Sequence, residues 1–334
     1  MLLRDLGEWE LLRRLAAYAP PGQLDDDAAI LAADCGTPTT PLVVNTDLLV
    51  EGVHFSDATM DPADVGWRAA AANLSDLAAT GCGRVVGLTV GLVAPADTPW
   101  AWVEGVYDGL SLALRTYGGQ LLGGDCSGGR QRMLAITALG RIGPGAIRRG
   151  DGRAGDWLVC TGPHGLSRLG LALLLQELPA QQAEALSPGL RQRAIEAHRR
   201  PRPRLDVVAA LERSQPPGRP WRVGGTDSSD GLAAAAAHLA RGAGCTAELC
   251  RDNLPIDPEL AALPQGERWC LAGGEDFELV LALEPAWAQA LIEALPGCRQ
   301  IGALTSARDA ASAGSLLWQG SHHPLEGCTG YSHF

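Results

Sequence analysis

The chain has 334 residues, with 27 basic side chains against 38 acidic ones and a formal net charge of -11. Every basic residue is arginine, and without lysine there is no Walker-type phosphate loop, no protein-kinase strand lysine and no Schiff base. Phosphate handling must then rest on arginine, backbone N–H groups or metal ions, and 22 aspartates make metal ions the first expectation.

In chain order, residues 2–18 predict an amphipathic helix from Leu3, Leu6, Leu11 and Leu15. Pro41 to Thr46 predicts a buried strand. Asp61-Pro62 starts a helix that runs to Thr80, with Pro in its first turn. Strands are expected at 85–93, 120–122 and 133–139, and a helix at 100–117. The Gly- and Arg-rich stretch 143–155 is the natural boundary between an N-terminal domain, 1–145, and a C-terminal domain, 146–334. Beyond it come a strand at 157–161, helices near 166–176, 187–199 and 203–212, and an Ala-rich helix at 230–241. A strand at 277–282, a helix at 287–295 and a short strand at 300–303 follow. The result is an α/β chain of two similar halves. Its acidity disfavours nucleic acid and anionic membranes, and no segment has the apolar length of a membrane span. Nine cysteines without a C-x-x-C fit reduced thiols in the cytoplasm, and the acid-bearing N-terminus does not read as a signal peptide. The Arg199–Arg204 cluster, broken by Pro201 and Pro203, reads either as a phosphate contact or as a solvated, rigid turn.

Six strings carry chemistry. Asp25-Asp26-Asp27 is either a surface turn or a cation-bound run, and in extended backbone Asp25 and Asp27 share a face. Asn45-Thr46-Asp47 ends a strand, where a hydroxyl and a carboxylate suit a hard cation, and His54 follows in Glu51-Gly52-Val53-His54-Phe55. Asp76 in Asn73-Leu74-Ser75-Asp76 stands on a helix of small residues and faces either water or a cation or donor. Gly123-Gly124-Asp125 reads as a loop after a strand, open to phosphate. Asp227-Ser228-Ser229-Asp230 opens the Ala-rich helix, with Ser229 or Asp230 as a plain N-cap or as part of a metal–phosphate site. Gly273-Gly274-Glu275-Asp276-Phe277-Glu278 runs into a strand. Together they suggest Mg²⁺ ions held by Asp around a polyphosphate.

Taken in order, Asp26-Asp27-Ala28-Ala29, NTDLLVEGVHF (45–55), NLSDLAATG (73–81), GGD (123–125), DSSDGL (227–232), GGEDFEL (273–279) and the tail GYSHF (330–334) resemble the thiamine-monophosphate kinase family across nearly the whole chain. The resemblance implies a two-domain fold like that of aminoimidazole ribonucleotide synthetase, with mixed sheets covered by helices, and a homodimer that pairs its N-terminal sheets. It implies direct transfer of the γ-phosphoryl group of ATP to thiamine monophosphate with several Mg²⁺ ions. By that likeness Asp27, Asn45, Thr46, Asp47, Asp76, Asp125, Asp227 and Asp230 match metal positions, with Asp47, Asp125 and Asp230 as the catalytic members. Tyr107, Gly124, Asp125, Arg149 and Ser229 match ATP contacts. His54, Glu275 and the tail Tyr331 match contacts to the acceptor.

The chain departs from the family in having Asp25 where Gly is usual, Asn45 where Ser is common, and Cys328 near a position that is aromatic in some members. Two alternatives remain: another ATP-dependent enzyme of the same superfamily, or a nucleotide-binding relative without catalysis.

Overall fold

The computed structural model describes residues 5, 8–31, 40–321, 323 and 325. Tyr331, Cys328 and the GYSHF tail lie outside the described residues.

A short helix, α1 (Glu8–Leu15), continues as a 3₁₀ turn to Tyr18. The first sheet is built from β1 (Ala29–Leu31), β2 (Leu42–Val50), β3 (Cys82–Ala94), β4 (Gln120–Gly128) and β5 (Met133–Ile142). Its order is β1-β2-β5-β3-β4, antiparallel except for the β3–β4 pair. Two long helices, α2 (Pro62–Ala79) and α3 (Trp100–Tyr117), belong to the same half. Gly66 and Gly109 bring their backbones together. A Cβ at Gly66 would stand 1.9 Å from the carbonyl oxygen of Val106, and one at Gly109 2.0 Å from that of Ala63. Leu74, Leu77, Leu88, Val90, Leu110, Leu134 and Ile136 form the core beneath them.

The second half supplies β6 (Trp157–Cys160), α4 (Leu166–Leu174), α5 (Ala180–Ala185), α6 (Pro188–Arg199) and α7 (Leu205–Ser214). Next come β7 (Gly224–Asp227), α8 (Leu232–Gly242) and β8 (Cys245–Leu249). Then follow α9 (Pro258–Ala261), α10 (Gly266–Ala272), β9 (Leu279–Leu283), α11 (Pro285–Ala294), β10 (Arg299–Ser306) and β11 (Leu316–Trp318). The second sheet is ordered β11-β8-β10-β6-β9-β7 and is also mixed, with only β11–β8 parallel. The fold is thus mixed α/β, with two mixed sheets and helices in two halves. Among the described residues no helix is long and apolar enough to cross a membrane.

Three expectations change in ways that matter for the site. β2 runs on through Leu48-Leu49-Val50, so Asn45-Thr46-Asp47 lies within a strand rather than at its end. Gly123-Gly124-Asp125 likewise lies inside β4, because backbone pairing with β3 outweighs the poor strand propensity of glycine. Gly225-Thr226-Asp227 belongs to β7, and the Ala-rich helix starts later, capped by Gly231 at φ 106° with no side-chain cap, so neither Ser229 nor Asp230 is the N-cap.

In the arginine cluster Arg199 and Arg200 bridge the two halves, Arg204 is buried within the second half, and only Arg202 is exposed. Arg199 donates to the carbonyl oxygen of Thr59 (2.9 Å) and Arg200 to Asp64 (2.6 Å), and the Trp67 indole donates to the carbonyl oxygen of Pro201 (2.8 Å). Arg204 is buried between Asp206 and Glu278 and donates to the carbonyl oxygen of Thr161. α2 is the shared element: its Ala78 and Ala79 pack into the core of the second half beside Ile147, Val207 and Leu211. Small side chains let this helix be buried on several sides at once.

Candidate active site

Side chains alternate along β2, so Asn45 and Asp47 share one face and Thr46 takes the other. The Thr46 hydroxyl pairs with that of Thr137 at 2.9 Å, away from the acids; its side chain does not join the proposed metal set. Asn45 Nδ2 donates to Asp76 (2.7 Å) and to Asn73 Oδ1 (3.2 Å), and Asn73 Oδ1 also accepts the N–H of Asp47. Asn73 thus ties helix α2 to strand β2. Its spacing of three from Asp76 in the same string was the signal for a shared face.

From the second half, Asp227 at the end of β7 accepts the Ser75 hydroxyl at 2.7 Å. Thr226 donates to Asp27 at 3.0 Å. The Arg149 guanidinium pairs with Asp27 and reaches Thr226, while its backbone N–H donates to Asp26 at 2.8 Å. The chain bends at the three aspartates, so Asp26 and Asp27 turn inward together and Asp25 is exposed. This differs from the extended alternation expected, and it leaves the extra charge of Asp25 in solvent. Asn73, Ser75, Thr226 and Asp26 are site residues that sequence reasoning did not single out.

Oxygens of Asp27, Asp76 and Asp227 lie within 4.8 Å of one another. Burial, then repulsion from Asp27 and Asp230, raises the Asp47 carboxyl to about 6. Burial, then Asp27, raises Asp227 to about 7, although the Ser75 hydroxyl works against the shift. Asp76 is pushed well above the usual carboxylate range by burial and by Asp47, Asp227 and Asp27. A group of acids that raise one another in this way is held at a cost that a cation would relieve. The buried Asn45 Oδ1 accepts no hydrogen bond from the described residues. Hard oxygen donors, mutual repulsion and that orphaned oxygen all fit a divalent cation of the Mg²⁺ class.

Two further groups flank the acids. Gly124 and Asp125 stand on β4, at the exposed edge of the sheet, with β5 and β3 between them and the strand of Asp47. Asp125 accepts the N–H of Cys126 at 2.9 Å and is not part of the acid cluster within the chain. Tyr107 of α3 lies near Cys126, whose charge adds to burial in raising the phenol. Tyr107, Gly124 and Asp125 therefore form a neighbourhood separate from Arg149 and Ser229.

The other group holds His54 and Glu275. The N–H of Val50 donates to His54 Nδ1 at 3.1 Å, which places the ring proton on Nε2. Glu51 pairs with Arg132, whose guanidinium lies 4.8 Å from the Trp102 ring centroid, and Phe55 stacks on Trp102 at 6.2 Å. These contacts fix the turn that carries His54. Glu275 pairs with Arg68, and its own N–H donates to the carbonyl oxygen of Ser229 at 2.6 Å. Beneath this, fully buried His164 is driven down to about 4 by desolvation. It stays neutral and meets Ser228 Oγ at 2.9 Å, bracing the turn between Asp227 and Asp230.

Residues 25–142 match the family model of the AIR synthase related protein N-terminal domain, and 153–313 that of the C-terminal domain. The chain is 48% identical to the thiamine-monophosphate kinase of Prochlorococcus marinus, over 90% of this chain and 89% of that one. It is 49% identical to the enzyme of the same name from Synechococcus elongatus, over 88% and 86%. A solved structure described as AaThiL complexed with AMPPCP and TMP superposes with a TM-score of 0.84 at 28% identity, covering 100% of this chain and 99% of that one.

Proposed function

The chain belongs to the thiamine-monophosphate kinase family, and we propose that it transfers the γ-phosphoryl group of ATP directly to the phosphate of thiamine monophosphate, yielding thiamine diphosphate and ADP. One observation carries this proposal: the convergence of Asp27, Asp76 and Asp227, from three separate motifs and both halves of the chain, on one point. Several Mg²⁺ ions bound there would screen the phosphate oxygens of donor and acceptor and supply the positive charge that lysine provides elsewhere. Asp27, Asp76 and Asp227 would hold them, with Asn45 Oδ1, Asp47 and Asp230 completing the set.

The protein's own groups do the rest. Arg149, Ser229 and the Tyr107, Gly124 and Asp125 group are assigned to ATP. His54, as an Nε2–H donor, and Glu275, as a carboxylate, are assigned to the acceptor. Holding both phosphates in line is the main source of rate in such a transfer, because little covalent chemistry is left for side chains. The test is the formation of thiamine diphosphate and ADP from thiamine monophosphate and Mg·ATP.

We also place this enzyme in the cytoplasm, divided at residues 1–145 and 146–334, as a homodimer paired through the N-terminal sheets. The support for pairing is β4, exposed along its whole length, with Leu121 and Leu122 each 47% exposed at the sheet edge. Sedimentation equilibrium is expected to give a dimer, and Leu121→Asp with Leu122→Asp a monomer. A wild-type monomer at micromolar concentration contradicts the pairing.

A further inference from the structure

Arg68 is a charged side chain only 2% exposed, and no motif of the sequence marks it. It projects from α2, in the N-terminal half, and all its described partners are in the C-terminal half. One arm donates to the carbonyl oxygen of His198 at the end of α6, and another pairs with the Glu275 carboxylate. Its guanidinium carbon lies 5.9 Å from the Phe277 ring centroid.

The segment it grips is strained. Glu275 and Phe277 adopt φ 60° and φ 51°, in the left-handed region that non-glycine residues rarely occupy. Such a conformation persists only where neighbours over-determine it, and here each residue has its own anchor. The N–H of Glu275 donates to the carbonyl oxygen of Ser229. The Asp276 carboxylate accepts the N–H groups of Gly165 (2.7 Å) and Ser167 (3.1 Å) at the start of α4. Phe277 is buried. The side chain of Glu275 remains one-third exposed, so the segment presents one carboxylate outward. Arg68 is the ion-pair partner that holds its direction; burial works against the charge of Glu275, yet the Arg68 guanidinium, with His198 and His54, keeps it below the ordinary carboxylate range.

We propose that Arg68 is a positioning residue: across the seam between the halves it fixes the Glu275 carboxylate toward the amino-bearing heterocycle of the acceptor, a role that rests on the acceptor being held at His54 and Glu275. Its described contacts are to His198, Glu275 and Phe277, none of them assigned to phosphate or nucleotide, so its effect falls on acceptor binding and passes through Glu275.

The test is a double-mutant cycle in the full-length protein with Arg68→Gln, Arg68→Lys and Glu275→Gln. Arg68→Gln is expected to raise KM for thiamine monophosphate about tenfold or more, with kcat changed less than about threefold and KM for ATP unaltered. Arg68→Lys, which keeps the charge but not the forked geometry, is expected to raise it only about threefold. In the Glu275→Gln background either change is expected to add less than about twofold. Where Arg68→Gln does not fold, the lysine variant completes the same cycle. Additive effects in the two backgrounds, or equal losses toward both substrates, overturn the proposal and leave Arg68 a strut between the halves. Absence of thiamine diphosphate from the wild-type protein at any acceptor concentration would instead remove the functional assignment itself.

Discussion

Replacing Asp76 with asparagine is expected to stabilise the chelated protein and, in the same variant, to lower turnover by about a thousandfold. The two effects share one cause. Asp76, Asp47 and Asp227 are all raised first by burial and then by repulsion from neighbouring acids, Asp27 acting on each of them. A carboxyl with a raised folded-state pKa binds protons more tightly folded than unfolded, so stability falls as pH rises between the two values. The fall begins near the ordinary value of 3.8 and continues to about 6 for Asp47 and about 7 for Asp227, with Asp76 adding to it in the same direction.

Asparagine keeps an acceptor for the Asn45 amide, carries no charge and relieves its neighbours. In chelator at pH above 7 its melting temperature is expected to exceed the wild type's by about 2 °C or more. The gap should close as the pH falls toward the ordinary carboxylate range. Added Mg²⁺ should reverse the order, because the wild type gains more from a cation than the variant does. Thermal melts at two pH values, with and without Mg²⁺, decide it. A variant less stable than the wild type in chelator at high pH would show that repulsion does not dominate this cluster.

Arg149→Gln is expected to do the opposite. Arg149 is the cation paired with Asp27 within the protein, so its removal leaves that carboxylate uncompensated beside three others. Losing one partner of a buried pair commonly costs 3–5 kcal/mol; with Arg149 one-quarter exposed, about 2 kcal/mol is expected in chelator. Saturating Mg²⁺ should recover most of that loss, since the ion neutralises the same oxygens. KM for ATP should still rise about thirtyfold, because a charge-assisted contact to phosphate is missing. An equal loss of stability with and without Mg²⁺, together with an unchanged KM for ATP, would make Arg149 a structural brace only.

How much of this was legible in the sequence follows from how local each feature is. The helix 100–117 is read correctly because Pro99 precedes it and Gly118 follows, and both act within a turn. The acids Asp27, Asp76 and Asp227 are legible as chemistry because each stands beside small or hydroxyl residues, and the order of the motifs points to one family. The face on which each residue sits is less so. A strand ending at Thr46 would leave its hydroxyl free for a cation, whereas a strand that continues to Val50 commits it to the opposite face from Asn45 and Asp47. β7, Gly-Gly-Thr-Asp, has almost no strand propensity and exists because β9 pairs with it. Long-range partners are the least visible. Nothing near Arg204 or Arg68 in sequence announces Glu278 or Glu275, so a charged run that read either as a phosphate contact or as a solvated turn is instead tied into the fold through Arg199, Arg200 and Arg204, and the residue that aims Glu275 lies 207 positions away.

The absence of lysine acquires its meaning here. Arg149 balances one aspartate, and under the proposed function the remaining acid charge is left for Mg²⁺, so this kinase without a lysine is expected to depend on its cation for both rate and stability. The most direct measurement is product analysis of the purified protein with Mg·ATP, offered thiamine monophosphate and free thiamine side by side. Thiamine monophosphate is expected to yield thiamine diphosphate and ADP in equal amounts, with no phosphorylation of free thiamine and no product in chelator. Failure to form thiamine diphosphate at saturating Mg²⁺ would contradict the account.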